Sequence, residues 1–204
     1  IIGEVEESFE YPVIVKPARQ GSSIGIEVAH DEEKVKEAIE DAIKYDDKIL
    51  VEEIIPNMTE LNCSVLGSNS YAEASVIEQV MGHDEILSFT DKYIGNGAKK
   101  GSAKKSAPSK GMASASRIIP ANIPEKLTKE IEETSKKAFK VLGASGVVRI
   151  DYSYDKKSKK YYVNELNTIP GSLAFYLWTP LNKEYDELLD DMIIIAVKRY
   201  KKKF

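Results

Sequence analysis

Short apolar runs alternate along this chain with stretches in which apolar residues recur every three or four positions. A short β-branched run such as residues 11–16 is typical of a buried strand, and alternation of apolar and polar residues is typical of a strand with one exposed face. The segments predicted to form strands are residues 11–16, 26–29, 49–55, 60–66, 71–80, 146–154 and 161–167.

Three other segments carry the helical period. Asp31 can cap the first helix, Pro124 opens the second at a favoured first-turn position, and Gly143 supplies a left-handed end to that second helix. The third helix spans roughly residues 185–201. The stripes predicted to face the core are Val35, Ala38, Ile39, Ala42 and Ile43, then Leu127, Ile131, Ala138 and Val141, then Leu188, Leu189, Met192, Ile195 and Ala196.

Three pairs of predicted strands are close enough in sequence to be hairpins. Residues 11–16 and 26–29 flank the glycine- and serine-rich tip 21–25, residues 67–70 join the second pair, and a lysine-rich turn joins the third. Helices that alternate with antiparallel hairpins predict an α+β fold rather than a doubly wound parallel sheet.

Residues 95–116 differ from the rest of the chain. They are almost all Gly, Ala, Ser and Lys, without periodicity, and their lysines repel one another. We therefore predict a mobile surface loop there, within a chain of two lobes, residues 1–80 and residues 81–204.

Composition narrows the class of protein. The chain has 204 residues, 42% of them hydrophobic, a net charge of −4 and one cysteine, Cys63. The mild negative charge argues against a general nucleic-acid binder, and no aromatic residues lie among the lysines of the 95–116 loop to stack on bases. The absence of a signal peptide and of a long apolar run, together with the single cysteine, predicts a cytoplasmic protein without a membrane span. Because the chain opens at Ile1 rather than at a methionine, we expect a fragment of a longer protein.

The last predicted hairpin concentrates charged residues. Arg149 and Asp151 alternate on one strand and Glu165 and Asn167 on the next, so each pair points to one face. Carboxylate and amide oxygens suit Mg²⁺ bridged to phosphates, and the arginine can offset charge on a reacting carboxylate or phosphate. The alternative is a solvated sheet face with no binding role.

Lys16 ends the first strand just before the 21–25 tip. A lysine there can bind a phosphate, and the backbone of a small-residue loop can approach a polyphosphate closely. The spacing is not that of a P-loop, and a hairpin turn that needs glycine for its backbone explains the same residues.

Two further places suggest nucleotide contacts. The strand end at Glu52 and Glu53, with Glu60 beyond it, could contact adenine and ribose. The simpler interpretation is that these glutamates are exposed to solvent and bind nothing. Lys92 and Tyr93 precede the 95–116 loop, where they either enter a site on loop closure or lie in solvent.

Taken in order, these motifs resemble those of the ATP-grasp ligases, and among them the D-alanine–D-alanine ligases. The matching residues span almost the whole chain: Val15–Ala18 with Gly21–Gly25, Val51–Glu53, Asp91–Tyr93, Arg149–Asp151, Asn164–Asn167 and Pro170–Gly171. The resemblance implies an ATP-grasp fold of two lobes, each built on a mainly antiparallel sheet flanked by helices.

The resemblance also implies a role for each matching residue. It assigns ATP binding to Lys16 and Lys92 for the phosphates, Glu52, Glu53 and Ile55 for adenine, and Glu60 for ribose. It assigns two Mg²⁺ or Mn²⁺ ions to Asp151, Glu165 and Asn167. It assigns loop closure to Ser22, Ser23 and Tyr93, and stabilisation of an acyl phosphate to Arg149.

The implied reaction joins D-alanine to a second D-amino acid for cell-wall synthesis, and the resemblance leaves open a homodimer of the full-length protein. The run from Gly171 to Trp178 is bulkier and more aromatic than the small hydroxyl pattern usual in D-alanine ligases, and is similar to the D-serine subgroup of the vancomycin-resistance type. An N-terminal domain and an earlier phosphate-binding lysine cannot be placed before Tyr11, so we expect this fragment alone to be inactive. Other acyl-phosphate-forming ATP-grasp ligases, and a nucleotide-binding module without chemistry, remain alternatives.

Overall fold

The computed structural model describes residues 2–21, 23–55, 57–81 and 116–202. Contacts between Cα atoms divide this part of the chain into two units. The first comprises residues 2–55, and the second comprises residues 57–81 together with 116–202.

The first unit is a small antiparallel sheet covered by one helix. Its sheet order is β2-β1-β3. The elements are α1 (Ile2–Ser8), β1 (Val13–Pro17), β2 (Glu27–Ala29), α2 (Glu32–Ala42) and β3 (Ile49–Glu53). Val13 and Val15 point from β1 towards α2, where they form a core with Val35, Ala38 and Ala42. The predicted first hairpin is confirmed, because Val13 pairs with Ala29 and Val15 with Glu27.

The ends of the helices in this unit differ in part from prediction. The Asp31 carboxylate accepts a hydrogen bond from the Lys34 amide at 2.8 Å, which confirms the predicted N-cap of α2. Ile43 is 60% exposed instead of buried, because α2 ends one residue before it. Residues 2–8 form a helix, α1, which is not among the elements predicted from the sequence.

Gly25 is the residue of the 21–25 tip for which glycine is required. Its φ is +70°, and a Cβ atom there would lie 2.7 Å from Cδ2 of Tyr45 and 2.9 Å from Cγ of Pro17. Gly25→Ala should therefore lower the free energy of unfolding by about 2–4 kcal/mol, from left-handed strain plus overpacking. Denaturant unfolding checks this, with Gly21→Ala as the matched control, since a Cβ at Gly21 meets nothing within 4 Å. Equal effects of the two substitutions would contradict the argument.

The second unit is built on a five-stranded antiparallel sheet of order β6-β5-β4-β7-β8. Its strands are β4 (Met58–Ser68), β5 (Tyr71–Met81), β6 (Ser116–Ile118), β7 (Gly146–Asp155) and β8 (Lys160–Asn167). Its helices are α3 (Glu125–Val141) and α4 (Tyr185–Lys201), with 3-10 turns at Gly171–Leu177 and Thr179–Leu181. The other two predicted hairpins are confirmed by the pairing of β4 with β5 and of β7 with β8.

The two faces of this sheet differ in chemistry. One face is apolar and packs on α3, through residues such as Ile150 and Tyr152 from β7 and Ile131 and Phe139 from the helix. The opposite face is polar over most of its area. At one end it is covered by Trp178 and α4, in a smaller cluster of Leu66, Val147, Trp178, Leu188 and Ile195.

Two predicted helix stripes need correction at their ends. Val141 is 76% exposed and Phe139 is buried, because the buried residues of α3 recur every four positions, from Leu127 to Phe139. In α4, Leu188 and Ile195 are buried but Ala196 is exposed, since only one narrow side of that helix contacts the sheet. Gly143 has φ +62°, which confirms the predicted left-handed end of α3.

The division into units falls earlier in the chain than the predicted boundary after residue 80. β4 and β5 are hairpin partners, but β4 also pairs with β7 along ten residue pairs, from Met58–Asp155 to Gly67–Gly146. Residues 57–81 therefore belong with the second unit. The predicted loop at 95–116 lies outside the described residues, except that Ser116 begins β6. Among the described helices, none is both long and apolar enough to cross a bilayer.

Candidate functional site

A row of polar side chains crosses the polar face of the second unit's sheet. Glu78 of β5 lies opposite Asn62 of β4, Asn62 opposite Asp151 of β7, and Asp151 opposite Glu165 of β8. Side chains in direct cross-strand register have Cβ atoms only about 4.5–5.5 Å apart. The pairing thus confirms that the last hairpin brings Asp151 and Glu165 together, and it extends the row across two more strands.

Asp151 of this row forms a buried ion pair with Arg149, which lies two residues earlier on the same strand. Nε and Nη2 of Arg149 each donate to one oxygen of the Asp151 carboxylate at 2.7 Å, and both side chains are only 9% exposed. Burial alone would lower the pKa of Arg149, but the hydrogen bonds and charge of Asp151 raise it well above its usual value. Asn167, which lies opposite Arg149, donates from its amide to Asp151 at 2.9 Å.

A bulge in β8 makes this arrangement possible. The register shifts between Asp151, which pairs with Glu165, and Tyr152, which pairs with Val163, so that Asn164 is an extra residue. Without the bulge, Glu165 and Tyr161 would share a face, since they are four residues apart. With it, Tyr161 packs against the apolar core while Glu165 stays on the polar face.

Glu60 lies on the same face, two residues before Asn62. The amide of Asn62 donates to Glu60 at 3.0 Å and to Glu78 at 2.8 Å. Burial, with a smaller contribution from the charge of Asp151, raises the pKa of Glu60. The predicted ribose ligand is thus an acidic group within electrostatic reach of the predicted metal ligands.

The sequence reasoning missed part of this face. The residues missed are Asn62, Glu78, Arg117 and Tyr176. The alternation of Glu60, Asn62 and Ser64 along β4 was a signal for the first of them. The other three depend on pairings and contacts between segments distant in sequence.

The donor set suits a magnesium ion that also binds phosphate. Asp151, Glu165 and Asn167 offer two carboxylates and one amide, and no group of three His, Cys, Asp or Glu residues that could hold a metal occurs within the described segments. Mg²⁺ is usually held by one or two carboxylates plus substrate phosphates rather than by a complete protein cage. The residues present therefore fit a metal that arrives with a polyphosphate.

In the first unit, the predicted nucleotide residues lie along β1 and β3. Nζ of Lys16 lies 2.7 Å from the Glu52 carboxylate, on the sheet face opposite α2. Glu53 is exposed and Ile55 half-buried just past the end of β3. An amine and a carboxylate at this spacing offer a cation for a phosphate and an acceptor for an amino group.

The loop that follows β1 is tied to the segment after α2. The amide and Nε of Arg19 donate to the Asp46 carboxylate at 2.7 and 3.0 Å, and the Lys48 amide donates to it at 3.0 Å. The hydrogen bond from Arg19, aided by that from Lys48, lowers the pKa of Asp46 to about 2. Ser23, further along the loop, has φ +59°. Ser22, Lys92 and Tyr93 lie outside the described residues.

Comparison with known proteins identifies the family of this chain. A family model described as D-ala D-ala ligase C-terminus matches residues 1–194. The chain belongs to this family. The D-alanine–D-alanine ligase of Acetivibrio thermocellus is 38% identical over 98% of this chain, and that of Thermosipho melanesiensis is 38% identical over 97%.

Solved structures of such ligases share the fold. The D-alanine–D-alanine ligase of Coxiella burnetii superposes with a TM-score of 0.74 at 25% identity over 95% of this chain. The VanG D-Ala:D-Ser ligase of Enterococcus faecalis superposes with a TM-score of 0.73 at 27% identity over 95% of this chain. The predicted α+β ATP-grasp fold is confirmed. The chain covers 49% and 50% of the two curated relatives and 47% and 52% of the two solved chains, about half of each.

Proposed function

We propose that this D-alanine ligase C-terminal region provides the ATP- and metal-binding part of a ligase that joins D-alanine to D-alanine or D-serine through an acyl phosphate. The observation that carries the proposal is the cluster of Asp151, Glu165 and Asn167 beside the buried Arg149. Carboxylates for a metal and an arginine for developing negative charge are the groups that phosphoryl transfer to a carboxylate requires.

The proposed roles follow the chemistry of each side chain. Arg149, held in place by Asp151, stabilises charge on the phosphorylated carboxylate and on the tetrahedral state formed when the amine attacks. Asp151, Glu165 and Asn167 would hold Mg²⁺ or Mn²⁺, which when bound with ATP offsets the phosphate charge.

In the first unit, Lys16 binds a phosphate, and Glu52, with Glu53 and Ile55, binds adenine. Glu60, which belongs to the second unit, binds ribose hydroxyls. The proposal extends, from the resemblance alone, to phosphate binding by Lys92 and to closure over the substrates by Ser22, Ser23 and Tyr93.

We also propose that the whole protein acts in the cytoplasm, in the synthesis of peptidoglycan precursors. Cys63 is a buried free cysteine on β4, and burial raises the pKa of its thiol to about 12. A buried cysteine with so high a pKa is unreactive and suits a reducing compartment.

Calorimetric titration with Mg²⁺–ATP tests the nucleotide part of the proposal. Lys16→Ala should weaken binding roughly 10- to 100-fold, since it removes one charge-assisted contact to phosphate. Lys34→Ala is the matched control, because it removes the same charge from the exposed side of α2. Equal affinity of both variants for Mg²⁺–ATP would remove Lys16 from the site. If neither this chain nor a protein as long as its relatives bound Mg²⁺–ATP, the nucleotide part of the proposal would be overturned.

A further inference from the structure

Glu78 is a fully buried carboxylate that no proposed catalytic step uses. Its side chain is 0% exposed, and it accepts hydrogen bonds from Asn62 of β4 at 2.8 Å and from the Tyr176 hydroxyl at 3.0 Å. Nη1 of Arg117 on β6 lies 3.4 Å from its other oxygen. A buried carboxylate is retained at such a position only where several donors compensate the loss of water, and here three separate elements supply them.

Tyr176 links this carboxylate to the segment after Pro170. It lies in the 3-10 turn Gly171–Leu177, and its ring also lies 5.2 Å from the guanidinium carbon of Arg117. Two residues on, Nε1 of Trp178 donates to the Ser64 hydroxyl at 3.1 Å. The segment is therefore fastened to the sheet at two points, on β5 and on β4.

The backbone between Pro170 and these anchors is strained. Ser172, Leu173 and Ala174 have φ values of 50°, 54° and 51°, all in the left-handed region. Three consecutive residues other than glycine are rarely found there, because the Cβ atom approaches the following carbonyl oxygen. Such a conformation persists only where surrounding contacts hold it.

The anchors lie next to Arg149. Ser64, which receives the Trp178 hydrogen bond, is the β4 residue directly opposite Arg149. Glu78, which accepts the Tyr176 hydrogen bond, lies opposite Asn62 on the same face of the sheet. Asn62 in turn lies opposite Asp151, the ion-pair partner of Arg149. The 3-10 turn that contains the strained residues also contacts β7, the strand that carries the residue proposed to stabilise the reacting carboxylate.

We infer that Tyr176, held by Glu78 and Arg117, is a positioning residue that fixes the Ser172–Ala174 turn beside Arg149 and so shapes the approach of the attacking amine. The inference rests on the proposed ligase function. The amine must approach the carbonyl carbon of the phosphorylated carboxylate, and a backbone wall next to Arg149 limits that approach. Substrate position, rather than phosphoryl transfer itself, should therefore depend on the Tyr176 hydroxyl.

The test is Tyr176→Phe, which keeps the ring over Arg117 and removes only the hydrogen bond to Glu78. Amide hydrogen exchange of residues 171–177 should become roughly fivefold faster, as expected for the loss of one hydrogen bond. In the whole protein, KM for the amine substrate should rise roughly tenfold, again the effect of one hydrogen bond. D-alanine-dependent isotope exchange at the bridging oxygen of ATP should change less than about twofold, since it reports phosphoryl transfer alone.

Tyr185→Phe is the matched control, because its ring packs on Phe175 of the same segment at 5.0 Å while its side chain is partly exposed. Unchanged hydrogen exchange in Tyr176→Phe, or the same acceleration in Tyr185→Phe, would overturn the anchoring role. If Tyr176→Phe slowed isotope exchange by the same factor by which it raised KM for the amine, the selective effect on the amine would be overturned. Absence of D-alanine-dependent ATP turnover in the wild-type protein is a failure of the proposed function; the part of the inference that concerns the amine falls with it, while hydrogen exchange still decides the anchoring.

Discussion

Replacing Arg149 by methionine should destabilise the second unit by about 3–5 kcal/mol, because removal of one partner leaves the other charge buried and unpaired. Asp151 would keep only the amide of Asn167 as a donor among the contacts seen for its side chain in the described part of the chain. Urea unfolding measures the change. The exposed Arg199→Met on α4 is the control and should stay within about 0.5 kcal/mol of wild type.

The same substitution should lower ATP-dependent ligation by roughly 10²–10³-fold, the usual effect of losing one preorganised group that stabilises negative charge. The two effects can be separated. Activity is measured at a temperature where the urea curve shows the Arg149→Met variant to be folded, so that ligation is compared per folded molecule. Wild-type ligation by the folded variant would show that Arg149 acts only through folding.

The sequence alone predicts the hairpins well, because each depends on local signals. Alternation fixes which side chains share a face, and turn-forming residues mark where the chain reverses. The cap at Asp31 and the left-handed Gly143 are equally local, and both are confirmed. The pairing of β7 with β8 follows from the same rules, since only a short turn separates them. The register that puts Asp151 opposite Glu165 depends in addition on the bulge.

What the sequence does not predict depends on contacts between distant segments. The pairing of β4 with β7 places Asn62 beside Asp151, although they are far apart in the chain. The boundary between the units follows from that same pairing. The bulge at Asn164 breaks the alternation that strand prediction assumes, and it is the reason Glu165 and Tyr161 occupy opposite faces.

Helix periodicity has a related limit. It predicts an apolar stripe on α3 that includes Val141, but the helix buries Phe139 and leaves Val141 exposed. The left-handed turn at Ser172–Ala174 has no local signal at all, since none of its residues is glycine, asparagine or aspartate. It becomes understandable only from the two anchors that hold it.

Glu165→Gln is the cleanest single test of the proposed metal site. Unlike Asp151, which is buried against Arg149, Glu165 is exposed at its end of the row, so glutamine should change the free energy of unfolding by less than about 0.5 kcal/mol. The loss of one anionic ligand should raise the Mg²⁺ concentration needed for ATP turnover by at least about 100-fold, since loss of outer-shell partners alone weakens metal sites 10- to 100-fold. Titration of turnover with Mg²⁺ in the whole protein measures this shift.

Glu125→Gln, which removes an exposed carboxylate from the first turn of α3, is the control and should leave the Mg²⁺ titration unchanged.

Adding Asp151→Asn to Glu165→Gln should abolish Mg²⁺-dependent turnover, because no carboxylate of the proposed ligand set remains. A nucleotide-binding module without chemistry would show no turnover to lose in the wild-type protein. Retention of full turnover by the double variant would place the metal elsewhere. If the Glu165→Gln protein is stable but needs more Mg²⁺ for ATP turnover, the change must come from the metal site. The fold would be intact, and only the charge of the ligand would have changed.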